Sequence, residues 1–218
     1  MAIRRGPLAP PEAGTEVFSM DTRASSGTNV EPAYRSPFPV DMAIVDRVIN
    51  VTSINRNVAR LMGGVYLRTN GAEAEGAYTT VAFDNMNGIS DAAFSSPDTN
   101  RQSYMWKRAP GFFDVVAWTG VAGTAQTINH NLGVVPEMIW TKRRNATSGW
   151  IVYNKTITAT NWLALHDDRA SGALSTAWNN TEPTASSFTA GQTVSATGAP
   201  VIAYLFASLA GVSKVGSV

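Results

Sequence analysis

Phe112 to Trp140 reads FFDVVAWTGVAGTAQTINHNLGVVPEMIW. Two apolar runs, Phe112 to Trp118 and Val134 to Trp140, flank the polar block Asn129-His130-Asn131-Leu132-Gly133. Both runs are rich in β-branched or aromatic side chains, which fit a pleated, half-buried surface. Pro136 has no N–H to give a ladder, so it belongs at a strand entry or a sheet edge. The block between the runs is written as a tight corner between strands. The stretch therefore predicts a β-rich structural module rather than an enzyme.

The same grammar extends outward. On the C-terminal side, Met138 to Lys142 and Trp150 to Tyr153 read as strands. The turn at Asn145 to Gly149 joins them as a hairpin. Trp162 to His166, Thr176 to Trp178 and Ser186 to Thr189 are shorter candidates, with Thr193 to Ser195 pairing nearby. Val201 to Ala207 is apolar apart from Tyr204, the mark of a strand buried on both faces. Upstream, Ser103 to Lys107, Tyr78 to Phe83 and Val65 to Leu67 read as strands, the last ending in the Asn70-Gly71 turn. Val48 to Ile54 fits neither period cleanly, and its β-branching favours strand over a short helix. Asp84 to Asn100 reads as loop, punctuated by Asn87-Gly88 and Pro97. Short strands separated by frequent turns predict an all-β fold, an antiparallel β-sandwich of jelly-roll type. Residues 1–30 carry Pro7, Pro10 and Pro11 and no periodicity, and read as an extended N-terminal arm. The expected organisation is this arm, a β-rich segment over 31–109 packed on the main domain, and a sandwich domain over 110–218.

Composition narrows the function. Only 15% of residues are charged and the net charge is +1. No strong field is available to hold a phosphate backbone, so nucleic-acid binding is not expected. The chain has no cysteine, which removes disulfides and thiolate metal sites. No apolar run approaches the length of a membrane helix, and the two N-terminal arginines are not followed by the apolar core of a secretory signal.

Few residues offer chemistry. His130, His166, Asp167 and Asp168 could form a metal site only by convergence across the fold. The simpler reading has His130 bonding the corner backbone and Asp167-Asp168 opening a turn. Asp84, Asp91, Asp114 and Glu137 could supply a carboxylate pair, but none has an informative context. No Gly-x-Ser-x-Gly elbow occurs. No enzymatic activity, metal or cofactor is expected. The six tryptophans are either core aromatics or exposed anchors for a sugar or a partner. Trp150 and Trp178 sit beside polar turn residues and are expected to be more exposed than Trp118 or Trp140. With the basic Lys142-Arg143-Arg144 cluster, they give a candidate glycan-binding set: Trp150, Trp178, Arg143 and Arg144.

Longer motifs add a resemblance. Met105-Trp106-Lys107-Arg108-Ala109-Pro110-Gly111-Phe112-Phe113-Asp114-Val115-Val116 resembles a segment of structural proteins of tailed bacteriophages, many of them marine. Thr127 to Met138 with its His-Asn-Leu-Gly corner, Lys142-Arg143-Arg144, Trp150 to Tyr153, Tyr204 to Ala207 and Gly211 to Ser217 follow in the same order. Phe38-Pro39-Val40-Asp41-Met42-Ala43 looks like that family's entry segment. The resemblance covers residues 35–218. It implies a virion component, a tail-fibre or baseplate appendage protein assembled in the host bacterial cytoplasm, and it supplies no catalytic residues. It implies other virion proteins as partners, a homotrimer, and attachment to a host cell-surface glycan as a further role. A carbohydrate-binding module and a capsid decoration or head-fibre protein are the alternatives.

Overall fold

A computed structural model describes residues 9–23, 32–47, 54–91, 101–121 and 123–216. In chain order, a 3-10 turn (Gly14–Glu16) leads into β1 (Phe18–Thr22), β2 (Tyr34–Arg35), β3 (Met42–Arg47) and β4 (Arg56–Ala59). A second 3-10 turn (Arg60–Met62) precedes β5 (Val65–Arg68), β6 (Gly76–Ala77), β7 (Val81–Ala82), β8 (Gly88–Asp91) and β9 (Arg101–Trp106). Then come β10 (Phe113–Thr119), β11 (Gln126–Asn129), β12 (Met138–Arg143), β13 (Ile151–Asn154), β14 (Asn161–Trp162) and β15 (Gly172–Ala173). One helical turn, α1 (Ser175–Trp178), precedes β16 (Ser187–Ala190) and β17 (Pro200–Phe206).

The protein is an all-β antiparallel sandwich extended into a stack. A six-stranded sheet has the order β1-β9-β3-β4-β5-β6, and a four-stranded sheet has the order β10-β17-β12-β13. Their facing sides form one core: Met42, Ala59 and Leu67 from the first sheet meet Phe113, Val115, Ile202, Tyr204 and Phe206 from the second. The reverse side of the four-stranded sheet gives Ile139, Tyr153, Val201, Ala203 and Leu205 to a second core. The β11–β16 pair and α1 close it with Ile128, Phe188 and Trp178. The reverse side of the six-stranded sheet gives Ala43, Val45, Val58 and Met105 to a third core, closed by the β2-β8-β7 sheet through Tyr34, Ile89 and Val81.

β17 shows how sequence sets this arrangement. Strand residues alternate between faces, so Val201, Ala203 and Leu205 enter one core while Ile202, Tyr204 and Phe206 enter the other. A strand with two apolar faces must lie inside, and β17 is flanked by β10 and β12. Each large apolar side chain buried there contributes about 1.5–3 kcal/mol. The first run is strand β10, whereas the second is strand only from Met138, Val134 to Glu137 lying ahead of β12; the two strands do not pair with each other, because β17 lies between them. Pro136 stands just ahead of β12, at the strand entry. The Asn145 to Gly149 turn closes the expected hairpin, with Thr141 paired to Ile151.

Several expectations are corrected. Gly88–Asp91 is strand, not loop: Ile89 is fully buried in the third core. Gly88, at φ 144°, lies so close to the Tyr34 carbonyl that no side chain would fit. Thr176 to Trp178 is helical rather than extended, because the turn delivers Ala177 and Trp178 together into the second core. It ends on Asn179 in the left-handed region, a usual helix stop. Thr193 to Ser195 forms a turn, and the Tyr78 to Phe83 candidate is interrupted by a turn at Thr79-Thr80. Of Val48 to Ile54, residues 48–53 lie outside the described residues. So do residues 1–8 and 24–30 of the arm. Its described part docks on the chain's own sheet, where Phe18 pairs with Trp106 and Thr22 with Gln102.

Candidate functional site

The proposed glycan platform is dismantled by burial. Trp150 is 0% exposed and Trp178 is 1% exposed, whereas Trp118 and Trp140 are the half-buried ones. Neither buried ring can stack on a ligand. Trp150 packs against Tyr204 in the core between the two large sheets, and its indole N–H donates to the Arg68 carbonyl at 2.7 Å. Trp178 packs edge-on against Tyr153 and Phe188. Polar neighbours in sequence misled the reading, since the burial of Trp150, just ahead of β13, and of Trp178, in α1, follows which layer covers them rather than the polarity of the next residue.

The basic cluster is likewise a structural tie. Lys142 is 1% exposed. It shares a strand face with Met138 and Trp140, which point into the core. Its ammonium donates to the carbonyls of Ala72 at 3.1 Å and Arg143 at 3.2 Å. Burial pushes its pKa down from 10.5 to about 8, with the neighbouring Arg143 charge adding to the fall. The Arg144 guanidinium donates to Glu75 at 2.6 Å, and the Glu75 N–H returns a bond to the Arg144 carbonyl at 2.7 Å. Ser148 N–H also donates to the Ala72 carbonyl at 2.8 Å. Together with Trp150, these groups make the β12–β13 hairpin grip the segment after β5. Arg143 is half-buried beside them. Nearby, the Tyr204 hydroxyl donates across the sheets to Asn57 Oδ1 at 2.5 Å, and burial raises its pKa well above the ordinary phenol range.

The corner is the second site of interest. His130 is buried. Its Nε2 lies 3.2 Å from the Thr184 carbonyl, and its Nδ1 accepts the Leu132 N–H at 3.3 Å. A carbonyl can only accept and an amide N–H can only donate, so the ring is the neutral tautomer with its proton on Nε2. Burial lowers its pKa below 6.5. Buried Asp114 accepts the Asn131 N–H at 2.7 Å and its neighbour's Val115 N–H at 2.9 Å. Gly133 follows at φ 77°, where a residue without Cβ is favoured. Val134 and Val135 then stand 39% and 46% exposed. At the far end of the corner, Glu137 accepts the Ser208 N–H at 3.0 Å and pairs with Lys155 at 3.3 Å, clasping the tail that follows β17.

The remaining candidates do not converge with these. His166 Nδ1 accepts the Trp150 N–H at 3.3 Å, and Asp167 accepts the Arg169 N–H at 3.2 Å in a turn, as expected of that pair. The Arg169 guanidinium lies 5.4 Å over the Trp162 ring. Among the described residues, no three His, Asp or Glu side chains gather in a metal-holding group, and no helix is long and apolar enough to cross a membrane. Sequence reasoning missed the roles of Lys142, Tyr204 and Glu182, whose carboxylate accepts from the Tyr153 hydroxyl at 2.6 Å and the Ala159 N–H at 2.7 Å. Parity from Met138 and Trp140 could have placed Lys142 inside.

Residues 90–218, which carry both the corner and the β12–β13 hairpin, match a family described as a domain of unknown function, DUF7483. The chain belongs to the DUF7483 family. No curated protein and no solved structure matches it. The DUF7483 region starts at the end of β8 and takes in β9, so it contributes a strand to the six-stranded sheet as well as the whole four-stranded one.

Proposed function

We propose that this DUF7483 protein is a structural component of a tailed-bacteriophage particle, a tail-fibre or baseplate appendage subunit. It acts by assembling with copies of itself and with other virion proteins, and makes or breaks no covalent bond. The ordered motifs from Met105 to Ser217, which resemble phage structural proteins, support this reading. One structural observation carries the assembly part. Among the described residues β1 is an edge strand, and across it Met20, Tyr104 and Ile44 stand in register on three neighbouring strands. Met20 is 55% exposed, and Tyr104 and Ile44 are only half-buried. An apolar row at an open sheet edge is the kind of surface that pairs with another subunit. We take the partner to be a second copy within a homotrimer, following the phage resemblance.

Light scattering on the purified chain tests this. A trimer that Met20→Lys shifts to monomer is expected, and a wild-type monomer at every concentration refutes the assembly reading. Antibody labelling of intact particles then places the subunit. Label on the head favours a capsid decoration protein instead. Host attachment, if the protein performs it, uses surfaces other than Trp150 and Trp178.

A further inference from the structure

We propose that the His130 corner is an acid-sensitive latch, closed while the imidazole is neutral and opened when it takes a second proton. The geometry leaves no other state for the closed form. Nε2 must carry its proton to reach the Thr184 carbonyl, and Nδ1 must be bare to accept from Leu132. A proton added at Nδ1 faces the Leu132 N–H, donor against donor, inside a buried site. The Leu132 bond is then lost. That residue's carbonyl also holds Gly111 N–H at 2.7 Å, so the loss reaches the entry to β10.

The charged surroundings do not prevent this. Asp114, from β10, is the charged group that acts on His130, and it favours protonation. Its oxygens are occupied by the N–H groups of Val115 and Asn131. From the connection before β16, Thr184 and Ser186 offer backbone carbonyls, while the Glu182 carboxylate is bound to Tyr153 and Ala159. Glu137, ahead of β12, is bound to Ser208 and Lys155. Burial holds the native imidazole below 6.5, so the unfolded or opened chain takes the proton first. The latch is therefore intact above about pH 6.5 and weakens as pH falls below it. Opening would release the segment that carries the exposed Val134 and Val135, whatever the assembly state of the protein.

The test uses NMR on the full chain. The ¹⁵N shifts of His130 should show a bare Nδ1 at pH 7.5. As His130 titrates, the protection of the Leu132 amide against hydrogen exchange, corrected for the intrinsic rate, should fall about tenfold, the worth of one lost hydrogen bond at a buried group. In His130→Asn, Oδ1 replaces Nδ1 as the acceptor and nothing titrates, so Leu132 protection should stay flat over the same range. Constant Leu132 protection through the wild-type titration overturns the latch. So does an equal acid loss in His130→Asn. If that variant fails to fold, the wild-type titration alone decides.

Discussion

Replacing Lys142 by Met should make the protein more stable at neutral pH. The native ammonium is buried with two carbonyl acceptors. Its pKa falls from 10.5 to about 8. Each pH unit is worth about 1.4 kcal/mol, so the charged form is disfavoured in the fold by about 3 kcal/mol. Against this stand two hydrogen bonds, each worth about 1 kcal/mol net. The Ala72 carbonyl keeps the Ser148 N–H after the substitution, so it is not orphaned. Met fills a similar volume and lets the site stay packed. The expected gain for Lys142→Met at pH 7 is about 1–2 kcal/mol. The sign with pH follows from proton uptake. Between about pH 8 and 10.5 the unfolded chain holds the Lys142 proton and the fold does not, so wild-type stability gains from this residue as pH rises through that window. The advantage of the variant should shrink over the same window. Guanidinium melts of both proteins at pH 7 and pH 10 measure it. A variant less stable than wild type at pH 7, or an advantage that does not change with pH, would refute the argument that burial of the charge governs this residue.

Two further outcomes are expected. Tyr204→Phe removes the donor to buried Asn57, whose Nδ2 has no partner among the described residues, and should destabilise the fold by about 1–3 kcal/mol in a urea melt. Glu137→Gln loosens the clasp on Ser208 and Lys155. The native carboxyl lies below its ordinary 4.5 because Ser208 bonds its charged form, so its contribution is present above that pH and lost as pH falls through the native value. The variant should expose the segment after β17 to protease at pH 7, and wild type should approach it on acidification.

The parts of the fold legible in sequence were those written as period or punctuation. Val201 to Phe206 has no polar alternation beyond Tyr204, and it is the strand with a core on each side. Asn145 to Gly149 closes a hairpin because turn residues separate two strand-like runs. His130 bonds the corner backbone, as its polar setting predicted. What stayed hidden depends on which layer covers which face. Local pattern cannot show that a second sheet lies over Trp150, or that α1 and the β11–β16 pair enclose Trp178. Gly88–Asp91 read as loop because its glycine and polar residues suit turns. Its strand character comes from pairing with both β2 and β7, a tertiary effect that overrides propensity.

The stack also explains why charged groups fall where they do. Each large sheet serves two cores, so a polar side chain that points into either core needs a partner there. Lys142, the Asn57 side-chain oxygen and Trp150 therefore lie at the seam between the two sheets, where backbone carbonyls and a tyrosine hydroxyl can satisfy them. Buried polar groups without partners would oppose folding by several kcal/mol in sum. With partners on the opposite sheet, they fix the alignment of one sheet on the other. Apolar packing alone tolerates sliding, whereas a directed bond from Trp150 to Arg68 and an ion pair from Arg144 to Glu75 do not. A sparse set of charges placed at such ties gives a block of defined shape, the property that the proposed assembly would need.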